Sequence, residues 1–184
     1  MTFFRILVLG FLVIVLSGCE TTSTRPYSAS TENVLKMKQA LDDHGVKLRL
    51  GEFSENPDIG PLNCRLSGPV DVSPGKTRAE YIRDALQTEL FMADIHGTDA
   101  GAVITGDLKE LDFSSTSPAK WKITLAVASN HSDGYIVETE YPFKTSFSAV
   151  SACRNVADAW GPAVQKTIEN IVTHPDFKKL VGVQ

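Results

Sequence analysis

The 184-residue chain carries 18 basic and 22 acidic residues, a formal net charge of −4, and 42% of its residues are apolar. A chain of this length and apolar content can bury the core of one ordinary globular domain. Its mild acidity, with no cluster of basic residues along the sequence, argues against nucleic acid as a partner. It also argues against electrostatic binding to an anionic membrane surface.

The first residues form a secretory leader. Arg5 supplies a positive charge, and residues 6–15 form an apolar core. The stretch ends in Leu16-Ser17-Gly18-Cys19, which matches the lipobox of bacterial lipoproteins. This likeness implies a signal peptide of residues 1–18, cleavage before Cys19, and attachment of lipid, including palmitate, to Cys19. The alternative, an uncleaved membrane-spanning helix, requires about 20 apolar residues, and this stretch has roughly 14.

The predicted mature chain starts at Cys19 and, without Arg5, has a net charge of −5 from 17 basic and 22 acidic residues. Its second residue is Glu20, whereas aspartate at that position is the usual signal for retention in the inner membrane. We therefore expect a lipid-anchored protein on the periplasmic side of the outer membrane. Residues 19–31 are polar and too poor in apolar side chains to order themselves, which predicts a flexible tether.

Two cysteines remain once Cys19 is assigned to lipid. In the oxidising periplasm, Cys64 and Cys153 most simply form one disulfide bond. Closing a loop of roughly 90 residues stabilises a fold by about 4–5 kcal/mol in the chain-entropy model. The alternative, a redox-active pair, needs neighbouring cysteines or a Cys-x-x-Cys turn, which the chain lacks.

The predicted domain, residues 32–184, starts with a helix, a strand, a loop and a second helix. The apolar periodicity and the turn residues place them at residues 34–41, 46–50, 54–76 and 77–90, respectively. The loop contains four prolines, which predicts an irregular path. The second helix starts with a capping box, in which Thr77 and Glu80 satisfy backbone N–H groups at the helix start.

Three strands and a long helix follow, at residues 102–113, 121–128, 135–143 and 151–171. Gly106 predicts a bulge in the first of these strands, and the next two form a hairpin around residues 130–134. Ser151 is the predicted cap of the last helix, and Pro162 predicts a kink in it. The order of elements predicts an α+β fold, with an antiparallel sheet of about four strands and two main helices on one face.

Several segments carry a resemblance to a known family. They are the lipobox, the helix TRAEYIRDALQTEL, the strand GAVITGDLKELDF, the hairpin WKITLAVASNHSDGYIVETEYPFKTSF and the helix RNVADAWGPAVQKTIENIV with the following DFKKLV. In these segments the chain resembles the YajG-like family of uncharacterised bacterial outer-membrane lipoproteins. The order of elements is also similar to that of other envelope lipoproteins, such as the lipopolysaccharide-transport plug. Because these are binding or assembly proteins, the resemblance implies no catalytic residue and no cofactor.

Short patterns that suggest catalysis or ligand binding fail on spacing or context. Residues 73–77 lack the first glycine of a phosphate-binding loop. Ser73-x-x-Lys76 and Ser117-x-x-Lys120 have the serine–lysine spacing of penicillin-binding enzymes without their supporting motifs. The histidines are too far apart in sequence to predict a metal site; they are His44, His96, His131 and His174. We therefore expect a protein that is not an enzyme.

The remaining candidate residues belong to a partner surface. Glu138 and Glu140 share one face of a predicted strand, and Trp121 is an aromatic residue of the kind that often dominates protein interfaces. We predict a binding or assembly component of the cell envelope, whose partner is another envelope protein. The alternative is a module that binds lipid, lipopolysaccharide or peptidoglycan in a groove between sheet and helices, next to Trp121 or Trp160.

Overall fold

The computed structural model of the chain describes residues 22–41, 45–65 and 67–183. The predicted signal peptide, residues 1–18, and the predicted lipid attachment site, Cys19, lie outside the described residues. Within the described ranges, no helix combines the length and the apolar character needed to cross a membrane.

The described part of the chain forms six strands and four helices. Four strands make one sheet, and two very short strands pair with each other. In chain order the elements are β1 (Thr22–Ser23), α1 (Thr31–Leu41), β2 (Leu48–Glu55), β3 (Val70–Asp71), α2 (Arg78–Met92), β4 (Ala102–Ser114), β5 (Lys120–Ser129), β6 (Ser132–Pro142), α3 (Ala149–Val172) and α4 (Phe177–Leu180).

The main sheet is mixed, with the strand order β2-β4-β5-β6. β2 runs parallel to β4, whereas β5 is antiparallel to both of its neighbours. The α+β class is confirmed, but the prediction of a purely antiparallel sheet is wrong at one strand pair. The reason is the connection between β2 and β4: α2 carries the chain back along the sheet, so both strands start at the same end.

Gly106 does not form the predicted bulge. It pairs with Val127 in regular register, and the irregularity in β4 lies between Leu108 and Glu110. The glycine has a packing role instead, because a Cβ atom at this position would lie 2.5 Å from the ring of Phe53. The missing side chain leaves room for Phe53, which is buried in the core.

The long helices α2 and α3 pack on one face of the sheet, and aromatic side chains fill the space between the layers. α2 starts with the predicted capping box of Thr77 and Glu80. Trp121 of β5 and Trp160 of α3 are fully buried, with ring centroids 5.1 Å apart. The Trp121 Nε1 donates to the carbonyl oxygen of Val156 at 3.0 Å, which joins the sheet to α3.

α3 begins earlier than predicted. Its N-cap is Ser148 and not Ser151, and the helix continues through Pro162 to Val172. The additional residues include Val150, which is exposed. It lies outside the buried apolar stripe from which the helix is predicted, so the stripe does not mark the true start of the helix. Pro162 lacks an N–H group but does not end the helix, because buried residues on both sides hold the helix against the core.

Residues 22–30, predicted to belong to a flexible tether, lie extended against the helices. Thr22 pairs with Val70 in the small parallel sheet. Further along, Gln165 of α3 donates its Nε2 to the carbonyl oxygen of Ser28 at 2.7 Å. We call residues 22–30 the N-terminal segment.

A buried carboxylate explains why this polar segment is ordered. Glu89 of α2 is fully buried, and its Oε1 accepts hydrogen bonds from the Tyr27 hydroxyl and from the Ser30 N–H, the latter at 2.9 Å. Burial and the bond to Glu89 raise the pKa of Tyr27, so its hydroxyl keeps the proton that it donates. The segment is held by the hydrogen-bond donors that it supplies to α2, and a prediction based on apolar content misses this contribution.

The predicted disulfide bond between Cys64 and Cys153 is present, with Cα atoms 5.8 Å apart. It fastens the proline-rich loop to the start of α3. Arg78 holds the same loop at a second point, through an ion pair with Glu55 and a hydrogen bond to the Gly60 carbonyl oxygen at 2.8 Å. The predicted loop thus has a defined path, and β2 extends into it as far as Glu55.

Candidate functional site: the outer face of the sheet

One face of the main sheet packs on the helices, and the other lies open. Along β5, Trp121, Ile123 and Leu125 are buried, whereas Lys122 and Thr124 between them are exposed or half-buried. Cross-strand pairing extends this alternation to the neighbouring strands, because directly opposite residues share a face. We call the surface opposite the helices the outer face.

A cavity of about 670 Å³ lies on the outer face. Its floor consists of small side chains from the two central strands, including Thr105 of β4 and Ala126 and Ala128 of β5. Its walls include longer side chains from the two edge strands, Glu52 on β2 and Ile136 on β6. The sheet is concave here because its centre carries smaller side chains than its edges. We call this cavity the trough.

The charged side chains that line the trough are all carboxylates: Glu52, Asp107 and Asp133. Asp107 pairs with Lys109, while Glu52 and Asp133 have no ion pair within the described part of the chain. The outer face as a whole carries seven carboxylates and four cations, a net charge of −3. The carboxylates are Glu52, Asp107, Glu110, Asp112, Asp133, Glu138 and Glu140, and the cations are Arg49, Lys109, Lys120 and Lys122. The surface is therefore complementary to a positively charged partner.

The three residues of the predicted partner surface lie in two different places. Glu138 and Glu140 are exposed on the outer face. Lys120 Nζ lies 2.7 Å from Glu140, and this hydrogen bond holds the pKa of the Glu140 carboxyl below its usual value. Trp121 lies on the opposite, helix-covered face and is fully buried, so it does not contribute to a contact surface. Alternation along a strand separates two faces but does not say which of them is covered.

Sequence reasoning did not single out Glu52, Asp107 or Asp133 as residues of a functional surface. The three residues come from three separate regions of the chain. They meet because β2 lies next to β4 and because the β5–β6 turn returns Asp133 to the same face. The sequence signal that accompanies them is the pair of small residues Ala126 and Ala128 at alternate positions, which places only short side chains on the outer face of this part of β5.

The first serine–lysine pattern is a turn in the structure, and the second is a bend that leads into β5. The Lys76 N–H donates to the Ser73 carbonyl oxygen at 3.0 Å, and its Nζ lies 2.6 Å from Asp84. Lys120 is bound to Glu140. In both patterns the lysine Nζ is bound to a carboxylate and not to the serine that it would have to activate.

The three histidines in the described part of the chain, His96, His131 and His174, pack on aromatic rings or lie at the surface. His96 stacks on Phe91 and His174 on Tyr135, and His44 lies outside the described residues. Within residues 22–41, 45–65 and 67–183, no group of three or more histidine, cysteine, aspartate or glutamate side chains is placed to hold a metal ion.

The groove predicted for a lipid or glycan ligand is not found at the two tryptophans. Trp121 and Trp160 are fully buried and pack on each other and on Phe113 and Tyr81. Neither indole reaches the surface. A second cavity of about 300 Å³ lies outside the helix layer, between the N-terminal segment and α2.

No protein-family model matches the chain, and no curated protein matches it. Among solved structures, the crystal structure of protein XCC0632 from Xanthomonas campestris, assigned to the family model DUF330, is similar with a TM-score of 0.52. The likeness covers 74% of this chain and 85% of that one at 13% sequence identity. DUF330 is an uncharacterised family. At this level of identity, the comparison shows that the chain shares a fold with a bacterial protein of unknown role.

Proposed function

We propose that this protein is a non-enzymatic component of the bacterial cell envelope, anchored to the outer membrane by lipid on Cys19, that binds an envelope protein on its outer face. The observation that carries the proposal is the outer face itself, a four-stranded sheet surface that no helix of the described residues covers and that contains a carboxylate-lined trough. The lipobox and the resemblance to the YajG-like lipoproteins support the placement in the envelope.

The chemistry of the trough defines the partner. Its carboxylates favour lysine or arginine side chains, and its floor of small residues lets a bound chain approach the sheet closely. Ile136 is 58% exposed beside the carboxylates and offers an apolar contact. This combination suits a basic protein segment better than a lipid tail, which needs an apolar lining.

Site-specific photo-crosslinking in intact cells tests the proposal. A crosslinker at Ala126, on the floor of the trough, is expected to capture one envelope protein. The matched control is a crosslinker at Thr88, an exposed position on α2, which is expected not to capture it. Asp107→Lys is expected to reduce capture from Ala126, because it reverses a charge that the partner contacts. Equal capture from both positions, or capture unchanged by Asp107→Lys, would contradict the proposed surface.

A further inference from the structure

The place where the N-terminal segment joins the body determines which end of the protein lies near the membrane. Thr22 is paired with Val70 of β3, and three peptide units separate it from Cys19. Three extended residues span ~10 Å. If Cys19 carries lipid, as in the proposed function, the part of the body around β3 is held within about that distance of the bilayer surface.

The N-terminal segment is bound to the body, so it does not detach to lengthen the link between Cys19 and the domain. Thr24 donates its N–H to Asp71 and its hydroxyl to Val72, each at 3.2 Å. Arg25 forms an ion pair with Asp158 of α3 at 2.9 Å. Releasing the segment would break these bonds together with those to Glu89 and Gln165, so the attachment point stays at this end of the molecule.

The same end carries two fully or largely exposed apolar side chains. Phe147 precedes α3 and Val150 lies in its first turn; Phe147 is completely exposed and Val150 is 55% exposed. Arg65 connects them to the anchored region: its Nη1 donates to the Phe147 carbonyl oxygen at 3.3 Å and its Nη2 to that of Ser115 at 2.7 Å. The neighbouring Cys64 is bonded to Cys153 of α3. The aromatic side chain is thus presented by a cross-linked part of the structure.

Three basic residues lie near these apolar ones, either along the chain or through a hydrogen bond. Lys144 is held against α3 by a hydrogen bond from Asn155 to its carbonyl oxygen at 2.8 Å. Arg154 lies one turn beyond Val150 on the exposed side of the helix. Together with Arg65, these cations have no carboxylate partner within 4.0 Å among the described residues, whereas the outer face is acidic. Unpaired cations beside exposed apolar side chains are complementary to anionic phospholipid headgroups and the acyl region below them.

We propose that this patch, consisting of Arg65, Lys144, Phe147, Val150 and Arg154, rests on the surface of the phospholipid bilayer that holds the Cys19 lipid. Phe147 enters the interface between headgroups and acyl chains, and Lys144 and Arg154 contact lipid phosphates. The guanidinium of Arg65 is bound to Ser115, Thr145 and Phe147 and adds its positive charge to the patch. In this orientation, the end of the main sheet at which β6 ends faces the membrane. Its outer face points sideways into the periplasm and remains free for the partner.

Lipid-depth quenching of the mature, lipidated protein in vesicles tests the orientation. The vesicles contain phosphatidylethanolamine and phosphatidylglycerol with part of the lipid brominated. Both native tryptophans are buried in the core, so Phe147→Trp adds one exposed reporter, and Ile136→Trp, six residues from the end of β6, adds the matched control. We expect bromolipid to quench the added Phe147→Trp emission about twofold, because the ring lies ~5–10 Å into the interface, and to leave Ile136→Trp unchanged.

Each other outcome decides a separate point. Protein that does not float with the vesicles lacks the lipid anchor, which refutes the proposed placement in the envelope. Protein that floats with Phe147→Trp unquenched, or with Ile136→Trp quenched equally, overturns the orientation while the anchor stands. Adding Lys144→Glu and Arg154→Glu to Phe147→Trp is expected to weaken the quenching and to remove its dependence on the phosphatidylglycerol fraction. Quenching unchanged by this charge reversal would refute the role of the cations.

Discussion

Removing the disulfide bond should cost this domain a large part of its stability. Cys64 and Cys153 are 89 residues apart, and both are buried. In the chain-entropy model, opening a loop of that length raises the conformational entropy of the unfolded chain. The free energy of unfolding falls by about 4–5 kcal/mol as a result. A single domain of this size typically unfolds with about 5–15 kcal/mol, so the variant Cys64→Ala/Cys153→Ala should fold but lose a third or more of its stability.

Urea unfolding measures this loss directly. Both proteins carry Cys19→Ser, which leaves no other thiol and no lipid. We expect a larger m-value, because the unfolded chain without the cross-link exposes more surface, a midpoint lowered by roughly 2 M, and a melting temperature lowered by about 10–15 °C. Reduction of the disulfide-containing protein provides a control, because it should give the same loss without changing the sequence. A loss below about 1 kcal/mol in both experiments would refute the loop-entropy reasoning and would indicate that the unfolded chain is already compact.

Three further predictions concern buried polar contacts. Trp121→Phe should destabilise the fold by about 1–3 kcal/mol more than Trp160→Phe, because only the Trp121 indole N–H has a hydrogen-bond partner in the structure; equal losses in urea unfolding would contradict this. Tyr27→Phe should cost about 1–3 kcal/mol and speed hydrogen exchange in the N-terminal segment, since Glu89 loses a donor; unchanged exchange would argue against the contact. Hydrogen bonds from two lysines lower the pKa of Glu169 in the folded protein. Its contribution to stability is therefore present above the unfolded-state pKa and is lost as the pH falls through the folded-state pKa. Glu169→Gln should reduce the loss of stability in acid, as measured by urea midpoints between pH 7 and pH 3.

Local patterns predicted the elements well where one face of each element is buried. The structure confirms the predicted capping box of Thr77 and Glu80 and the predicted alternation of buried and exposed residues along β5. The predicted start of α3 was late because Val150 is exposed. The direction of β2 relative to β4 was predicted wrongly, because alternation is the same in parallel and antiparallel strands and the pairing depends on a distant connection.

The two charged surfaces show the same limit for function. The acidic outer face combines residues from four strands, and the basic patch combines Arg65, Lys144 and Arg154, none of which is a sequence neighbour of another. The absence of a basic run along the sequence argues against electrostatic binding to a membrane, whereas the proposed patch collects three cations from separate parts of the chain. Composition gives the total charge of the chain, whereas the fold determines how that charge is distributed.

The sequence by itself determined the order of the main helices and strands and the pairing of Cys64 with Cys153, and it predicts a leader with a lipobox at Cys19. These features depend on residues close together in the chain, or on a pair with no competitor. Only the tertiary structure decided that Trp121 is buried, that Glu89 holds the N-terminal segment, and that one face of the sheet stays open. Those properties arise from contacts between distant residues, and these contacts are established only when the sheet and helices pack together.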